Sequence, residues 1–374
     1  MNDAASSGAA TTPRSVVLAG GGTAGHVEPA LALADALRRR DGRVRITALG
    51  TASGLETSLV PARGYDLEVI PRVPLPRRLS VDWLTLGPRV AGAVREAAAV
   101  LRRVDADVVV GFGGYVALPA YLAARRVHVP LVVHEANARP GWANRIGARL
   151  TRFVAVSTPD TPLPHATFTG LPLRRSIATL DRAARCAEAR AHFGLEPDRT
   201  TLLVFGGSQG AQRINTAVAA AAPALLAAGV QVLHATGPGN EVTVDRSTGD
   251  PPYVVVPYLA EMDLAYAAAD LALCRSGAMT CAELAAVGLP AVFVPYPWSN
   301  GEQQVNAEAL ARLGAAEIVD DAQLTPGRAT EVLLRLLADP ELLARHAAAA
   351  RATGRPDADD RLVAVVVDAV RATR

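Results

Sequence analysis

The sequence predicts an α/β protein with two domains, each built on a parallel β-sheet, and three observations lead to that prediction. Short runs of Val, Ile and Leu alternate with Ala/Leu/Arg segments of helical period, as they do in βαβ units. The alternation restarts midway, and 374 residues, 50% of them hydrophobic, are enough for two cores. A glycine-rich turn follows the first strand of each half, which indicates two Rossmann-like domains facing a shared cleft.

The first domain is expected over residues 15–172. Residues 1–14 precede it, and their small, polar composition is typical of a disordered tail. The continuous apolar runs that buried parallel strands require lie near residues 16–19, 44–49, 67–70, 108–110, 131–134 and 153–156. Four prolines between residues 158 and 173 interrupt any helix there and indicate an interdomain hinge.

The second domain is expected over residues 173–374. Its predicted strands lie near residues 202–205, 230–234, 254–256, 271–274 and 291–294, with helices in the gaps. Two further segments, residues 341–352 and 359–371, have the composition of helices, and we expect both to close the second domain. This assignment gives the whole C-terminal part of the chain to one domain.

Composition restricts the partners and the compartment. The 38 Lys and Arg residues nearly balance 36 Asp and Glu, so no overall basic field indicates a nucleic-acid partner. The cysteines Cys186, Cys274 and Cys281 form no C-x-x-C pair, which argues against disulfides and a structural metal and favours a reducing cytoplasm. No signal peptide and no run of 18 uninterrupted apolar residues occurs, so we expect a protein that is soluble or rests on a membrane surface.

Three glycine-rich turns point to phosphate chemistry. They occupy residues 20–26, 111–115 and 206–211, each directly after an apolar run. A strand that ends in glycines brings the backbone close to a ligand and directs the N–H groups of the next helix at an anion. Tight βα connections also use glycine for steric reasons alone, and the middle turn is the least specific.

A polar turn in the second half offers a nucleotide site. Residues 274–277 end a strand, and the helix that follows presents its N–H groups and the Thr280 hydroxyl where a phosphate could bind. Glu283, one turn further on, is placed either to accept the hydroxyls of a ribose or to complement the helix dipole. Gln303 and Asn306 lie on one face of a later helix, and paired amides suit sugar hydroxyls.

Several motifs in one order resemble a known family. The first turn followed by His26-Val27-Glu28-Pro29, the segment His134-Glu135-Ala136-Asn137, the third turn and the Cys274 to Glu283 block are similar to glycosyltransferase family 28, the enzymes that make lipid II for bacterial cell walls. The resemblance implies a GT-B fold. It also implies inverting transfer of N-acetylglucosamine from UDP-N-acetylglucosamine to undecaprenyl-linked lipid I without a metal or other cofactor. It further implies a peripheral position on the cytoplasmic membrane face, with divisome or elongation proteins as candidate partners.

The resemblance also assigns substrate-binding positions. The backbone of Leu259 would face uracil, although a core leucine explains that residue equally well. Arg174 would complete the set, unless it is an exposed hinge cation. Ala24 stands where many relatives have glycine, which puts a left-handed backbone at that position in doubt. Ala136 stands where glutamine is frequent. The remaining positions are Thr23, Gly25, Asn137, Ser208, Gln209, Ala278, Met279, Thr280, Cys281, Ala282, Glu283, Gln303 and Asn306.

The reaction needs a base, since the acceptor hydroxyl loses its proton as it attacks the anomeric carbon. His26 is the first candidate, because a helix start keeps an imidazole neutral; a capping or substrate-positioning role is the alternative. Glu135 is the rival base, with Tyr115 and Asn137 positioning the substrate. The motifs contain no D-x-D pattern, so we expect helix N-termini rather than a metal to stabilise the leaving diphosphate.

Residues 74–84 form a candidate membrane contact. The segment combines paired arginines with apolar side chains, which suits an anionic lipid surface, although a lid loop has a similar composition. Its members are Leu75, Arg77, Arg78, Leu79, Trp83 and Leu84.

Other functions remain open. A nicotinamide-dependent dehydrogenase would show G-x-G-x-x-G and an acidic residue ending the second strand, where this chain has Ala-Leu-Gly-Thr-Ala-Ser. A non-catalytic UDP-sugar-binding assembly protein would keep Glu283 and Gln303 but would need neither His26 nor Glu135. A UDP-N-acetylglucosamine 2-epimerase would share the GT-B architecture.

Overall fold

The computed structural model describes residues 12–73 and 82–373. The chain divides into two compact units. The first unit contains the chain up to Arg174 together with the segment that begins at Asp357, and the second contains Arg175–Pro356. The change of unit at Arg174 lies two residues from the predicted boundary. The predicted tail falls almost entirely outside the described residues.

The first unit is built on a seven-stranded parallel sheet of order β3-β2-β1-β4-β5-β6-β7. The six predicted strands are confirmed. The sequence missed β7, a three-residue strand at the sheet edge that lies within the predicted hinge. The strands are β1 Ser15–Gly20, β2 Arg45–Gly50, β3 Asp66–Val69, β4 Val108–Gly113, β5 Leu131–Glu135, β6 Phe153–Val156 and β7 Ala166–Phe168.

Helices of this unit flank the sheet, six of them in the part of the chain that the structure describes. Their buried residues pack on the apolar side chains of β1, β2, β4 and β5 in two clusters. The helices are α1 Ala24–Arg40, α2 Glu56–Ala62, α3 Asp82–Arg103, α4 Ala117–Val127, α5 Trp142–Gly147 and, from the far end of the chain, α14 Ala358–Arg371.

The assignment of α14 to the second domain was wrong. Its apolar residues, among them Leu362 and Val366, join the cluster that contains Val16 of β1 and Leu37 of α1. Asp359 at the start of α14 forms an ion pair with Arg39 at the end of α1. The helix therefore buries its apolar stripe against the first sheet, and the chain returns to its first unit to do so.

The second unit has a six-stranded parallel sheet of order β10-β9-β8-β11-β12-β13. The five predicted strands are confirmed, and the three-residue edge strand β13 was missed. The strands are β8 Thr201–Phe205, β9 Gln231–Ala235, β10 Tyr253–Val256, β11 Leu271–Cys274, β12 Ala291–Phe293 and β13 Ala316–Ile318.

Helices pack on this second sheet as well. The helix predicted at residues 341–352 is present in this unit as α13. The helices are α6 Arg175–Ala178, α7 Arg182–His192, α8 Gln212–Ala227, α9 Met262–Ala268, α10 Ala278–Val287, α11 Glu302–Ala311, α12 Pro326–Leu337 and α13 Pro340–Thr353.

The order of strands reverses once in each sheet, between β1 and β4 and between β8 and β11. Parallel α/β sheets bind ligands outside the carboxyl ends of their strands at such a switch point. The glycine turns follow β1, β4 and β8, and the polar turn follows β11. Each unit therefore has its two predicted ligand-binding turns side by side at its own switch point.

Candidate active site

The first glycine turn leads directly into α1. Gly22 has a φ of +91°, whereas Ala24 is the first residue of α1 and is absent from the described residues with positive φ. Thr23 precedes it in extended conformation. The left-handed position of this turn is therefore Gly22, which explains why alanine is accepted at position 24. Gly25 lies within the first turn of the helix.

His26 is half-buried in the same helical turn. Its Nδ1 lies 3.0 Å from the Thr23 hydroxyl oxygen. Burial lowers the pKa of His26, while a hydrogen bond to the backbone of Gly21 and the negative charge of Glu56 act in the opposite direction. The imidazole is therefore neutral at pH 7 and has a lone pair that can accept a proton.

The turn after β4 packs against the turn after β1. A Cβ at Gly114 would lie 2.4 Å from the carbonyl oxygen of Gly21, and one at Gly113 would lie 3.0 Å from the His26 ring. Both glycines also have positive φ. The middle turn, the least specific in the sequence, thus has a steric reason for its glycines. Tyr115 follows it, partly exposed, with the Arg72 guanidinium 4.4 Å from its ring centroid.

Glu135 ends β5 and is buried. Its Oε1 accepts the backbone N–H of Asn137 at 2.9 Å, and its Oε2 accepts the backbone N–H of Gly141 at 2.9 Å. The side-chain amide of Asn144 donates to the same Oε2 at 2.9 Å. Burial raises the pKa of the Glu135 carboxyl, and these hydrogen bonds oppose that effect. Both oxygens are occupied within their own loop, as in a carboxylate that organises a turn.

Arg174, the last residue before the chain enters the second unit, lies close to α1. Its Nε is 4.0 Å from the Glu28 carboxylate, which also pairs with Arg63 at 3.1 Å. Glu28 is two residues beyond His26. The predicted residues Thr23 to His26, and Arg174 beside Glu28, are therefore grouped around the start of α1.

In the second unit, the turn after β8 places Ser208 and Gln209 at the surface. Gly210 has a φ of +75°, and a Cβ there would lie 1.9 Å from the carbonyl oxygen of Thr236. The side-chain amide of Asn240 donates to the carbonyl of Gln209 at 3.2 Å. The loops after β8 and β9 thus hold the predicted Ser208 and Gln209 in place.

The turn after β11 is the strongest phosphate-site candidate. Gly277 caps α10 in extended conformation without a side-chain hydrogen bond to the helix. The first N–H groups of a helix have no partner inside it, and they carry the positive end of its dipole. The half-exposed Ala278, Met279 and Thr280 supply those groups, while Cys281 is buried and Ala282 half-buried behind them.

Glu283 is 6% exposed, one turn into α10. The hydroxyl of Tyr266 on α9, itself fully buried, donates a hydrogen bond to Glu283 Oε2 at 2.7 Å. The contact fixes one carboxylate oxygen from inside the protein. A carboxylate held in this way can receive two adjacent hydroxyls of a ribose.

Gln303 and Asn306 join the start of α11 to the loops that follow β11 and β12. Gln303 Oε1 accepts the backbone N–H of Tyr296 at 2.9 Å, and its carbonyl accepts the Ser276 hydroxyl at 2.9 Å. Asn306 is buried, and its amide donates to the carbonyl of Ser276 at 3.3 Å. Both residues therefore support the turn after β11, and their contact with a sugar stays a prediction.

Leu259 lies in the loop between β10 and α9, with its side chain buried. Among the described residues, neither its backbone N–H nor its C=O bonds to another backbone group. The buried side chain fits a core leucine, and the backbone groups fit the predicted contact with uracil. The contact with uracil stays a prediction.

Two of the sequence's expectations concern metals and membranes. Within the described part of the chain, no three His, Cys, Asp or Glu side chains come together as a metal site requires. No helix there is long and apolar enough to cross a membrane. The membrane candidate, residues 74–81 with the side chains of Trp83 and Leu84, lies outside what the structure describes.

Sequence reasoning missed two residues that hold these sites in place, the carboxylate of Glu56 and the hydroxyl of Tyr266. Glu56 is fully buried, and its Oε2 accepts the backbone N–H of Gly22 at 2.8 Å. Tyr266 holds Glu283, as described above. Neither belongs to a glycine-rich motif; the available signal was an acidic residue shortly after the strand next to β1, where related folds place a functional carboxylate.

Comparison with known proteins agrees with this architecture. The family model for the glycosyltransferase family 28 N-terminal domain matches residues 16–156, and the model for the C-terminal domain matches residues 201–362. The crystal structure of Acinetobacter baumannii MurG superposes with a TM-score of 0.73 at 29% identity, covering 96% of this chain and 100% of that one.

Two curated relatives come from Streptomyces. The proteins of Streptomyces avermitilis and Streptomyces coelicolor are each 60% identical over 358 residues, or 96% of this chain. The match covers 99% and 98% of their own lengths, respectively. Both are named UDP-N-acetylglucosamine–N-acetylmuramyl-(pentapeptide) pyrophosphoryl-undecaprenol N-acetylglucosamine transferase.

Proposed function

The chain belongs to glycosyltransferase family 28, and we propose that it transfers N-acetylglucosamine from UDP-N-acetylglucosamine to the muramoyl-pentapeptide of undecaprenyl-pyrophosphate-linked lipid I, giving lipid II. The two Streptomyces relatives, 60% identical over 96% of this chain, are named as this transferase. Their names favour the transferase over the epimerase and over a non-catalytic binding protein. The observation that carries the chemistry is a neutral His26 at the start of α1, beside two packed glycine turns.

The second unit binds the donor in this proposal. The diphosphate lies at the N-terminus of α10, where unpaired N–H groups and the helix dipole favour an anion. Glu283, held by Tyr266, accepts the ribose hydroxyls. The exposed Ser208 and Gln209 lie on the neighbouring turn, and the backbone of Leu259 faces the uracil.

His26 acts as the base in a single displacement. The acceptor hydroxyl oxygen forms a bond to the anomeric carbon as the bond from that carbon to the β-phosphate oxygen breaks, which inverts the anomeric configuration. The hydroxyl proton passes to the imidazole, and the bonding electron pair leaves with UDP. N–H groups at the start of α10 stabilise the negative charge that develops on the diphosphate.

The geometry favours His26 over Glu135 for this role. Both oxygens of Glu135 accept hydrogen bonds from N–H donors of their own loop, whereas His26 Nδ1 contacts the Thr23 hydroxyl, which can either donate or accept. His26 is half-buried as a residue and has a lowered pKa, so its ring is neutral at pH 7. In this proposal Glu135 shapes the loop that presents Asn137, and Tyr115 and Arg174 contact substrate near the start of α1.

The acceptor determines where the protein works. A polyprenyl tail stays in the bilayer, so the enzyme must reach the headgroups, and we propose a peripheral position on the cytoplasmic membrane face. Residues 74–84 remain the candidate contact because their arginines and apolar side chains suit an anionic surface. Proteins of the division or elongation machinery are proposed partners on the resemblance alone.

A turnover assay with lipid I and UDP-N-acetylglucosamine tests the function. We expect the wild-type protein to form lipid II and to release UDP, and to do so in the presence of a metal chelator. Release of UDP without lipid II, or epimerisation of the donor sugar, would contradict the proposal. The variant Glu68→Gln, which changes a carboxylate on the edge strand β3, is a control that should leave turnover unchanged.

A further inference from the structure

Glu56 is a fully buried carboxylate that the reaction described above does not use. It is the first residue of α2 and accepts three hydrogen bonds through its side chain. The donors are the backbone N–H of Gly22 at 2.8 Å, the backbone N–H of Thr51 at 2.8 Å and the Thr51 hydroxyl at 3.0 Å. Burial alone would raise the pKa of Glu56, but these hydrogen bonds bring it below its ordinary value. The group is therefore a buried negative charge.

Three glycines leave space for this carboxylate. A Cβ at Gly54 would lie 1.9 Å from Oε2, one at Gly21 would lie 2.6 Å from Oε1, and one at Gly50 would lie 2.5 Å from Cγ of the same side chain. A site surrounded in this way has no room for a ligand. Its function must be exerted on the protein itself.

The contact with Gly22 leads to His26 through a single peptide group. The N–H of Gly22 and the C=O of Gly21 belong to the same peptide plane. Glu56 accepts the hydrogen bond of the N–H. The backbone of Gly21 raises the pKa of His26, as a carbonyl facing the ring does, and the hydroxyl of Thr23, the residue after Gly22, lies 3.0 Å from His26 Nδ1. The carboxylate thus anchors the turn from Gly21 to Thr23, and the imidazole lies against the same turn.

This arrangement has two consequences for the imidazole. A carbonyl can only accept, so it favours a proton on the ring nitrogen that faces it, while the Thr23 hydroxyl 3.0 Å from Nδ1 can donate or accept. The charge of Glu56 also favours the protonated ring that forms when a proton is taken up. Glu28, the nearest carboxylate along α1, is paired with Arg63 and Arg174 instead.

We propose that Glu56 is a positioning residue for His26. Glu56 acts through the Gly21–Gly22 peptide to fix the imidazole ring, and its negative charge stabilises the imidazolium. The proposal rests on the function proposed for His26. In a catalytic triad, an acid in direct contact with the histidine orients its ring. In this proposal Glu56, 30 positions after His26, has that orienting role without direct contact.

The test combines a titration with turnover. In Glu56→Gln, the amide NH2 faces the backbone N–H of either Gly22 or Thr51, where an acceptor is needed, and the charge is lost. We expect the titration midpoint of His26, followed by NMR of the labelled ring in the free protein and assigned with His26→Ala, to move to lower pH. Turnover should fall about tenfold to a hundredfold, since a misplaced catalytic group costs that much. UDP affinity should stay within about twofold, since the donor residues are elsewhere.

Two variants serve as comparison. Gly54→Ala displaces the carboxylate sterically without removing it, so it should lower turnover even if Glu56→Gln folds poorly. Glu68→Gln removes a carboxylate charge from the same unit and should leave both the His26 midpoint and turnover unchanged. Unchanged titration and turnover in a folded Glu56→Gln protein would overturn the inference. A wild-type protein that does not convert lipid I would instead overturn the proposed function, while the titration would still measure the effect of Glu56 on the ring.

Discussion

The hydroxyl of Tyr266 donates a hydrogen bond to Glu283 Oε2 at 2.7 Å, joining α9 to α10 at the proposed donor site. Tyr266 is fully buried in the second unit. The contact links donor recognition to the core of the unit, because the carboxylate proposed to receive the ribose is held from inside by a rigid aromatic side chain.

Removal of either partner should weaken UDP binding to different degrees. Glu283→Ala loses the hydrogen bonds of a charged group to ribose and should cost about 1.5 to 3 kcal/mol. Tyr266→Phe keeps the carboxylate but frees its position, so a smaller loss is expected. Calorimetry with UDP measures both, and Tyr253→Phe, a buried tyrosine that contacts His234 instead, is the matched control. An affinity of Glu283→Ala within twofold of wild type would leave Glu283 only a helix-dipole role.

The two candidate bases should give different mutant signatures. His26→Ala should lower turnover by about 10² to 10⁴ while UDP affinity stays nearly intact, because a base acts only on the chemical step. Glu135→Gln should mainly loosen the loop that its hydrogen bonds organise. Steady-state kinetics with lipid I, together with calorimetry, separate the two. Near-normal turnover in His26→Ala with a collapse in a well-folded Glu135→Gln would reverse the order of the candidates.

Stability should fall in mild acid because two histidines are buried in neutral form. Burial lowers the pKa of His134 and of His234 to about 4, against about 6.5 in the unfolded chain. The stability that each neutral ring contributes is therefore fully present above pH 6.5 and is lost as the pH falls toward 4. Between pH 7 and pH 5 we expect the free energy of unfolding to fall by about 1 to 2 kcal/mol for each ring.

Hydrogen exchange of the β9 amides at both pH values, corrected for intrinsic rates, measures this loss in the second unit. His234→Gln should make the difference between the two pH values smaller, whereas the same change at the exposed His192 should not. Equal pH dependence in His234→Gln and wild type would show that this ring is not the titrating group.

Membrane binding should be weak and sensitive to salt. Each arginine near an anionic surface contributes roughly 1 kcal/mol, so Arg77 and Arg78 need the apolar side chains around them. Arg77→Glu/Arg78→Glu/Trp83→Ser should therefore sediment less with anionic vesicles than wild type at low salt. Both proteins should be mostly unbound at physiological salt. Equal sedimentation of the two would place the membrane face elsewhere.

The assignment of α14 to the first unit can be tested through its core. Leu362 is fully buried against the first sheet, so Leu362→Ala should destabilise that unit by about 2 to 5 kcal/mol. Hydrogen exchange should accelerate in β1 and stay unchanged in β8. The matched variant Leu336→Ala, in the core of the second unit, should give the opposite pattern. Acceleration of β8 by Leu362→Ala would return α14 to the second unit.

The fold was largely predictable because buried parallel strands are continuous apolar runs. The strands that escaped, β7 and β13, have three residues each at the edges of their sheets, too short for a run to stand out. The packing of α14 on the first sheet was not predicted for a different reason. Its apolar period predicts a helix with one buried face but does not specify which sheet it covers.

The site residues were found where a motif carries them, and missed where only the strand order brings them together. Gly22 and Glu56 are 34 positions apart and meet because β2 lies next to β1. Tyr266 and Glu283 are 17 positions apart, on consecutive helices that flank β11. Tyr266 has no neighbour in sequence that marks it as functional, and the only sequence signal for Glu56 is its position shortly after β2.

The return of α14 to the first sheet also determines which of the two units is translated completely first. Domains generally fold as units during synthesis, the N-terminal one first. Here the contiguous segment Arg175–Pro356 is translated completely before the last piece of the first unit. Until then, apolar side chains such as Val16 and Leu37 lack their cover in the nascent chain. The second unit therefore has all of its residues first, and the core of the first unit cannot be completed until the last helix has been made.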